Sequence, residues 1–93
     1  MKVRLTASAA ADIEKIADGI AQADVERARV TVRALRAVAR SIGGAAYLGS
    51  PVTWAPDVRK KAAHPYLLFY VISGGEAVIL RIAHERSDWA SLV

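Results

Sequence analysis

The side chains best suited to chemistry form a basic and imidazole group in the second half of the chain. Its members are Arg59, Lys60, Lys61, His64, His84 and Arg86. Cleavage of RNA needs a base for the 2′-hydroxyl, an acid for the leaving 5′-oxygen and cations around the transition state, and these residue types could supply all three. Two plainer interpretations stay open. Arg59, Lys60 and Lys61 would then be edge-strand charges that deter aggregation, and His84 a surface histidine at a strand end.

Other reaction centres find no support in the sequence. There is no cysteine, so thiolate metal sites and disulfides are excluded. His64 and His84 lack the spacing of a metal site, and no carboxylate cluster completes a ligand set. The Gly43-Gly44 pair follows a helical pattern instead of opening one, so no phosphate loop is predicted. We therefore expect no metal and no cofactor, and a chain that acts by binding more readily than by catalysis.

Length and composition predict one domain over residues 1–93, because a chain of 93 residues cannot build two independent cores. Hydrophobic residues make up 54% and charged residues 24%, which excludes a disordered tail. No apolar run approaches the length of a membrane span, and the first residues lack the apolar region of a signal peptide. We expect a cytoplasmic protein with no membrane partner.

Positive charge is concentrated in the middle third of the chain. Residues 27–64 carry eight bases against Asp57 alone, whereas residues 1–26 and 65–93 each carry more acids than bases. This distribution favours an anionic partner for the central surface. A solvated basic face that keeps the protein soluble is the alternative.

The elements that must position these residues begin with a short strand, where Val3 and Leu5 alternate with polar residues. A helix is predicted over about residues 8–22 from its apolar spacing, with Thr6 or Ser8 as the cap and Gly19 in its interior. A second helix follows the cap residue Asp24 and ends at Gly43-Gly44, so the two helices form an antiparallel hairpin. The second helix carries an apolar stripe and a separate basic stripe. The basic stripe consists of Arg29, Arg33, Arg36 and Arg40.

The second half of the chain predicts strands. From Ala45 to Asp57 no periodicity is visible, and we expect Tyr47, Leu48 and Trp54 to fold back onto the core. Strands are predicted at 58–63, 66–72 and 78–82, the last two joined by a Ser73-Gly74-Gly75 turn. The predicted fold is α+β with the order β-α-α-β-β-β. It places the antiparallel helical hairpin on one face of a small antiparallel sheet.

The strand over 66–72 is apolar on both faces, although two helices can cover only one. Either the loop and C-terminal tail cover the second face through Trp54 and Trp89, or another chain does. An apolar sheet face that the chain itself leaves exposed is typical of interaction sites. The sequence leaves both possibilities open.

Several segments together resemble the RelE/ParE toxin superfamily. They are Leu5-Thr6 with the helix through Ile20, Tyr47-Leu48-Gly49, Arg59 followed by Tyr66-Leu67-Leu68-Phe69-Tyr70, and Val78 to His84 continuing to Asp88-Trp89. The chain is most similar to the ParE branch. The resemblance implies a toxin of a type II toxin–antitoxin module that inhibits DNA gyrase and is neutralised by a cognate antitoxin. The C-terminal segment of such an antitoxin folds along its toxin, and the basic middle third and second sheet face are suitable surfaces for it.

The resemblance also implies site residues. The expected antitoxin contacts are the helical-hairpin groove and Arg29, Arg33, Arg36, Arg40, Tyr66, Leu68 and Tyr70. The expected target contacts are Arg59, Lys60, Lys61, His84, Arg86 and Trp89. No sequence-specific nucleic-acid binding by this chain alone is expected.

Two alternatives remain. A RelE-type ribosome-dependent mRNA endonuclease would use His84, Arg59 and Arg86, but such nucleases typically carry a C-terminal tyrosine, and no tyrosine follows Tyr70. The other alternative is a regulatory or binding homologue without toxicity. It is suggested by Gly19, where relatives often have an aromatic residue, and by Arg86, which lies one residue away from the position of the arginine in the family's closing segment.

Overall fold

Two helices and five strands make up the computed structural model, which describes residues 1–93. They are β1 (Lys2–Leu5), α1 (Ala7–Ala21), α2 (Val25–Ile42), β2 (Ser50–Val52), β3 (Ala55–Ala63), β4 (Tyr66–Ser73) and β5 (Glu76–His84). Short 3-10 turns lie at Ala46–Leu48 and Trp89–Ser91. The α+β class and the predicted order of one strand, two helices and then strands are confirmed.

The five strands form one mixed sheet in the order β1-β5-β4-β3-β2. β1 pairs with β5 in the parallel direction and the other pairs are antiparallel, so the expectation of a purely antiparallel sheet is wrong at one edge. β2 is an additional strand inside the stretch expected to be irregular. It has three residues and contains Pro51, which is tolerated because β2 is an edge strand.

The start of α1 is fastened to β5 at the point where β1 ends. The Thr6 hydroxyl accepts a hydrogen bond from the Ala9 backbone N–H at 3.1 Å and donates one to the Leu80 carbonyl at 2.8 Å. The Thr6 backbone N–H donates to the Ile79 carbonyl at 3.0 Å. Thr6 therefore caps the helix and also satisfies carbonyls of β5 that β1 is too short to reach.

Asp12, six residues after Thr6 on α1, is a buried carboxylate held against β5. It accepts hydrogen bonds from Arg81 Nε at 2.9 Å, Arg81 Nη2 at 3.0 Å and the Ile82 backbone N–H at 2.8 Å. The hydrogen bond to Asp12 raises the pKa of Arg81 above its ordinary value, and burial opposes this shift only in part. Asp12 thus joins the helical layer to the sheet through a charged pair and a backbone bond.

The main core lies between the hairpin and the sheet. Its largest fully buried members are Leu35 and Ile42 of α2 with Leu68, Tyr70 and Ile79 of the sheet. The Tyr70 hydroxyl donates to the Ala46 carbonyl at 2.6 Å, so its polar end is satisfied within the core.

A smaller core covers the second face of the sheet. Phe69 is fully buried there, with the Trp89 ring 5.2 Å away between centroids, and Trp54 stacks on Trp89 at 5.6 Å. Trp54 Nε1 donates to the Val93 carbonyl at 3.0 Å. The loop and the C-terminal tail therefore cover this face, as one of the two possibilities proposed. The expectation that it offers an open landing surface for a second chain is wrong.

Candidate partner-binding surfaces

The largest concavity lies between the helical hairpin and the turn that joins β3 to β4. It has a volume of about 520 Å³ and a mostly apolar lining. We call it the hairpin groove and define it by Gly19, Val30, Ala34, Val38, Tyr66 and His84. A concave, largely apolar surface of this size can hold the apolar side chains of a partner segment.

Gly19 widens the hairpin groove. A Cβ built at Gly19 meets no atom within 4 Å, so the space beside this helical glycine is open. A larger side chain at this position would therefore extend into or over the groove without a clash within the chain. The glycine enlarges a surface that a partner could use.

Two histidines supply polar groups at one end of the groove. His84 packs edge-on against the Tyr66 ring at 5.6 Å, and its Nδ1 accepts the Arg86 backbone N–H at 3.0 Å. His64 Nδ1 lies 3.2 Å from Glu85 Oε1. Because the Nδ1 atom of His84 is an acceptor, the proton of its neutral ring is on Nε2.

The arginine stripe does not join the hairpin groove. Arg36 and Arg40 flank a smaller crevice of about 110 Å³ beside Val3 and Leu5 of β1, on the opposite side of α2 from the groove. All four arginines of the stripe are exposed, and Arg29 is paired with the neighbouring Glu26 at 2.7 Å. The stripe and the groove, both expected to contact an antitoxin, are therefore two surfaces on the two flanks of one helix.

Two of the expected antitoxin contacts are inaccessible. Leu68 and Tyr70 have no exposed surface, because they project from β4 into the main core beneath the helices. In this conformation neither can contact a partner, and we remove them from the candidate set. Tyr66 is partly exposed and lines the hairpin groove, so it remains a candidate.

The expected target contacts also divide between two faces of the sheet. Successive residues of a strand point to opposite faces. Arg59 and Lys61 therefore share the helix-facing side with Tyr70, whereas Lys60 lies on the second face with its Nζ 5.6 Å from the Trp89 ring. The run of three bases is not one basic patch.

The three residues needed by a nuclease do not meet. Arg59 is on β3, where it pairs with Tyr70 of β4, and His84 is on β5, where it pairs with Tyr66 of β4. Strand rise and spacing separate these two positions by about 16 Å. Arg86 is exposed beyond the end of β5. No group of three or more acidic, cysteine or histidine residues is placed to hold a metal ion, and neither helix is long and apolar enough to cross a membrane.

Sequence reasoning missed an exposed apolar feature in the turn before β2. Tyr47 and Leu48 were expected to fold onto the core, but their exposed fractions are 68% and 82%. Arg59 Nη1 donates to the carbonyls of Tyr47 at 3.1 Å and Gly49 at 3.0 Å, and the Arg59 guanidinium lies 5.8 Å from the Tyr47 ring centre. The only local indication of this turn in the sequence was Gly49.

A helical hairpin packs on one face of a small sheet, and the hairpin groove opens at the end of that hairpin. The chain belongs to the ParE toxin family, described as the ParE toxin of the type II toxin–antitoxin system parDE, which matches residues 3–89.

A solved structure supports the same assignment. The chain is similar to the structure described as the chromosomal ParDE TA system from P. aeruginosa, with a TM-score of 0.77 and 26% sequence identity. The match covers 90% of this chain and 95% of the other. No protein of curated function matches the sequence.

Proposed function

We propose that this type II toxin acts in the cytoplasm by inhibiting DNA gyrase, and that a cognate antitoxin neutralises it by occupying the hairpin groove. The observation that carries the antitoxin part is the groove itself, an open and mostly apolar concavity of about 520 Å³ on a chain whose other sheet face is already covered. The similarity to a structure described as a ParDE toxin–antitoxin system supports an antitoxin as the occupant.

The arginine stripe supports an acidic antitoxin segment. Arg33, Arg36 and Arg40 are exposed and make no salt bridge within the chain. Because the stripe and the groove lie on opposite flanks of α2, a segment that uses both must cross over the helix. The path over the outer half of a helix about 10 Å wide is about 16 Å, so about five extended residues span it. The proposed antitoxin segment is therefore apolar where it enters the groove and acidic where it reaches the stripe.

Action by contact is favoured over RNA cleavage by the positions of the candidate catalytic groups. The backbone positions of His84 and Arg59 are separated by about 16 Å, and the Arg59 guanidinium already donates to two carbonyls. A general base and a phosphate clamp must approach the same phosphodiester. This separation supports a binding-type inhibitor over a RelE-type endonuclease.

The gyrase proposal is tested with the purified chain and a plasmid supercoiling assay. We expect inhibition of supercoiling that is reversed by the antitoxin encoded in the adjacent reading frame. Expression without the antitoxin should arrest growth and produce DNA breaks while messenger RNA stays intact. Cleaved messenger with normal supercoiling would replace the proposal by the nuclease, and normal growth would favour a homologue without toxicity.

The antitoxin proposal is tested by separate changes on the two flanks of α2. Arg36→Glu with Arg40→Glu should weaken antitoxin binding about tenfold or more, because two charge pairs become repulsive. Gly19→Leu should weaken it by filling the groove. Lys15→Glu, an exposed charge reversal on α1, is the control and should leave the affinity unchanged. Unchanged affinity in the arginine variant would remove the stripe from the interface, and unchanged affinity in Gly19→Leu would remove the groove.

A further inference from the structure

The turn between α2 and β2 displays two large apolar side chains to solvent. Tyr47 and Leu48 are 68% and 82% exposed, and Leu48 is the most exposed of the large hydrophobic residues in the chain. We call residues 46–49 the knuckle. Single exposed hydrophobic residues are common on protein surfaces. An aromatic and an aliphatic side chain exposed side by side at a turn are instead typical of a contact with a partner.

The knuckle is held rigidly by the sheet beneath it. The Tyr70 hydroxyl donates to the Ala46 carbonyl at 2.6 Å, and Arg59 Nη1 donates to the carbonyls of Tyr47 and Gly49. Arg59 and Tyr70 are themselves paired across β3 and β4. One cross-strand pair therefore supplies donors to three of the four knuckle carbonyls.

Gly49 completes this attachment. A Cβ at Gly49 would overlap the Tyr70 hydroxyl, so only glycine lets the turn approach the core this closely. A turn fixed in this way loses little conformational entropy when it binds, which makes its exposed side chains efficient contacts.

The charge around the knuckle indicates the chemistry of its partner. On the helix-facing side of β3, Arg59 and Lys61 outnumber the single acid Asp57, whereas Lys60 lies on the second face. Lys61 shares the helix-facing side of β3 with Arg59, about 7 Å along the strand. A fitting partner surface is an apolar pocket with carboxylates at its rim. A second copy of this chain fits poorly, because a symmetric contact would bring the same bases together.

The knuckle is separate from the hairpin groove. Ala63 lines the groove, and Arg59 beneath the knuckle lies four residues earlier on β3, about 13 Å away. An occupant of the groove can therefore leave the knuckle exposed. The exposed leucine beside the tyrosine favours a protein partner, because single-stranded nucleic acid is bound chiefly through aromatic faces and cations.

We propose that Tyr47 and Leu48 are the principal contacts of this toxin with its target protein, and that Arg59 is a positioning residue that holds them. This inference rests on the proposed function, since it needs a target. Tyr47 and Leu48 enter an acid-rimmed apolar pocket of the target, while Arg59 acts through the knuckle backbone.

The test compares Leu48→Ser with Val25→Ser, which makes the same kind of change at another exposed aliphatic residue, 72% exposed at the start of α2. Purified gyrase holoenzyme is the binding probe, and growth arrest in cells is a readout that does not depend on the identity of the target. We expect Leu48→Ser to weaken gyrase binding about tenfold or more and to relieve growth arrest, as for a central contact residue. Val25→Ser should match the wild type in both assays, and both variants should keep the wild-type thermal midpoint.

Each outcome decides the proposal. Wild-type binding and toxicity in Leu48→Ser overturn it. A wild-type chain that arrests growth without binding gyrase refutes the gyrase target alone, and the growth readout then decides the knuckle. A wild-type chain that does neither refutes the proposed function and the knuckle with it. If the wild type binds a labelled single-stranded DNA and Leu48→Ser loses that binding while its gyrase binding stays intact, the partner of the knuckle is nucleic acid and not a protein.

Double substitution tests the positioning role of Arg59. If Arg59 acts only through the knuckle, Arg59→Ala weakens gyrase binding, but its loss and that of Leu48→Ser are less than additive in the double variant, because only the positioning of Tyr47 is left to lose. Arg59→Lys, which can still donate to a carbonyl, should recover part of the loss. Additive losses would show that Arg59 contacts the target directly and would overturn the positioning role.

Discussion

Replacement of Asp12 by alanine should destabilise the protein more than removal of any surface charge pair. Asp12 is nearly buried and accepts three hydrogen bonds, two from Arg81 and one from the Ile82 backbone N–H. In Asp12→Ala the Ile82 N–H loses its acceptor in a buried position. The Arg81 guanidinium also loses its partner, but its side chain is about one-third exposed and can be rehydrated.

The magnitude follows from these two losses. A buried donor left without an acceptor costs about 1–3 kcal/mol. The Arg81 pair, discounted for its contact with solvent, adds about 1 kcal/mol. We expect Asp12→Ala to lower the free energy of unfolding by about 3 kcal/mol, a large part of the roughly 5–15 kcal/mol typical of a domain. Asp12→Asn keeps an oxygen for the Ile82 N–H, so it should lose only about 1 kcal/mol.

Urea unfolding followed by circular dichroism measures this difference. Glu26→Ala is the control, because Glu26 and Arg29 form an exposed pair whose removal should cost less than about 1 kcal/mol. A loss in Asp12→Ala no larger than in this control would refute the structural role assigned to Asp12.

The stability that the Asp12–Arg81 pair contributes depends on pH through the titration of Arg81. The hydrogen bond to Asp12 raises the pKa of Arg81, so the folded state holds that proton more tightly than the unfolded state. The resulting stability is fully present below the arginine pKa of the unfolded chain and is lost only as the pH rises through the higher folded value. The difference between wild type and Asp12→Ala should therefore not change through arginine titration between about pH 7 and 9.

Three further predictions concern single positions. Gly19→Ala should raise the free energy of unfolding by about 0.5–1 kcal/mol in urea titration, because the added methyl meets open space and alanine favours the helix; a decrease would contradict the open environment. Gly49→Ala should lower it by about 1–3 kcal/mol through overlap with the Tyr70 hydroxyl, and Tyr70→Phe should recover part of this loss; an unchanged midpoint would show that the turn can shift freely. Trp89→Ala should lower it by about 3 kcal/mol and increase binding of a hydrophobic dye, since Trp89 lies between Trp54 and the buried Phe69; unchanged dye binding would mean that another segment closes the face.

The helices were predictable because their information is local. The Asp24 side chain accepts the Arg27 backbone N–H at 3.0 Å, as its place before the apolar stripe of α2 predicted. The spacing of the arginines likewise predicted a separate stripe. Which flank of α2 faces the groove depends on how the helix sits on the sheet, and no pattern within the helix records that.

The sheet was harder to predict. Ser50–Val52 is too short to show a periodicity, and the direction of β1 depends on its partner, β5, far along the chain. The 66–72 run is apolar on both faces, so alternation could not reveal that Leu68 and Tyr70 lie inside. Tyr47 and Leu48 were placed in the core because hydrophobicity predicts burial, which fails where a turn displays such residues.

The cross-strand pairing of Arg59 with Tyr70 has a consequence for how the sheet assembles. A slip of one residue in β3 would turn Arg59 to the second face and set Val58 or Lys60 opposite Tyr70. The carbonyls of Tyr47 and Gly49 would then lose their donor. Correct alignment of β3 with β4 and closure of the preceding turn thus depend on the same guanidinium, so a misaligned pair of strands also loses the hydrogen bonds that hold the turn.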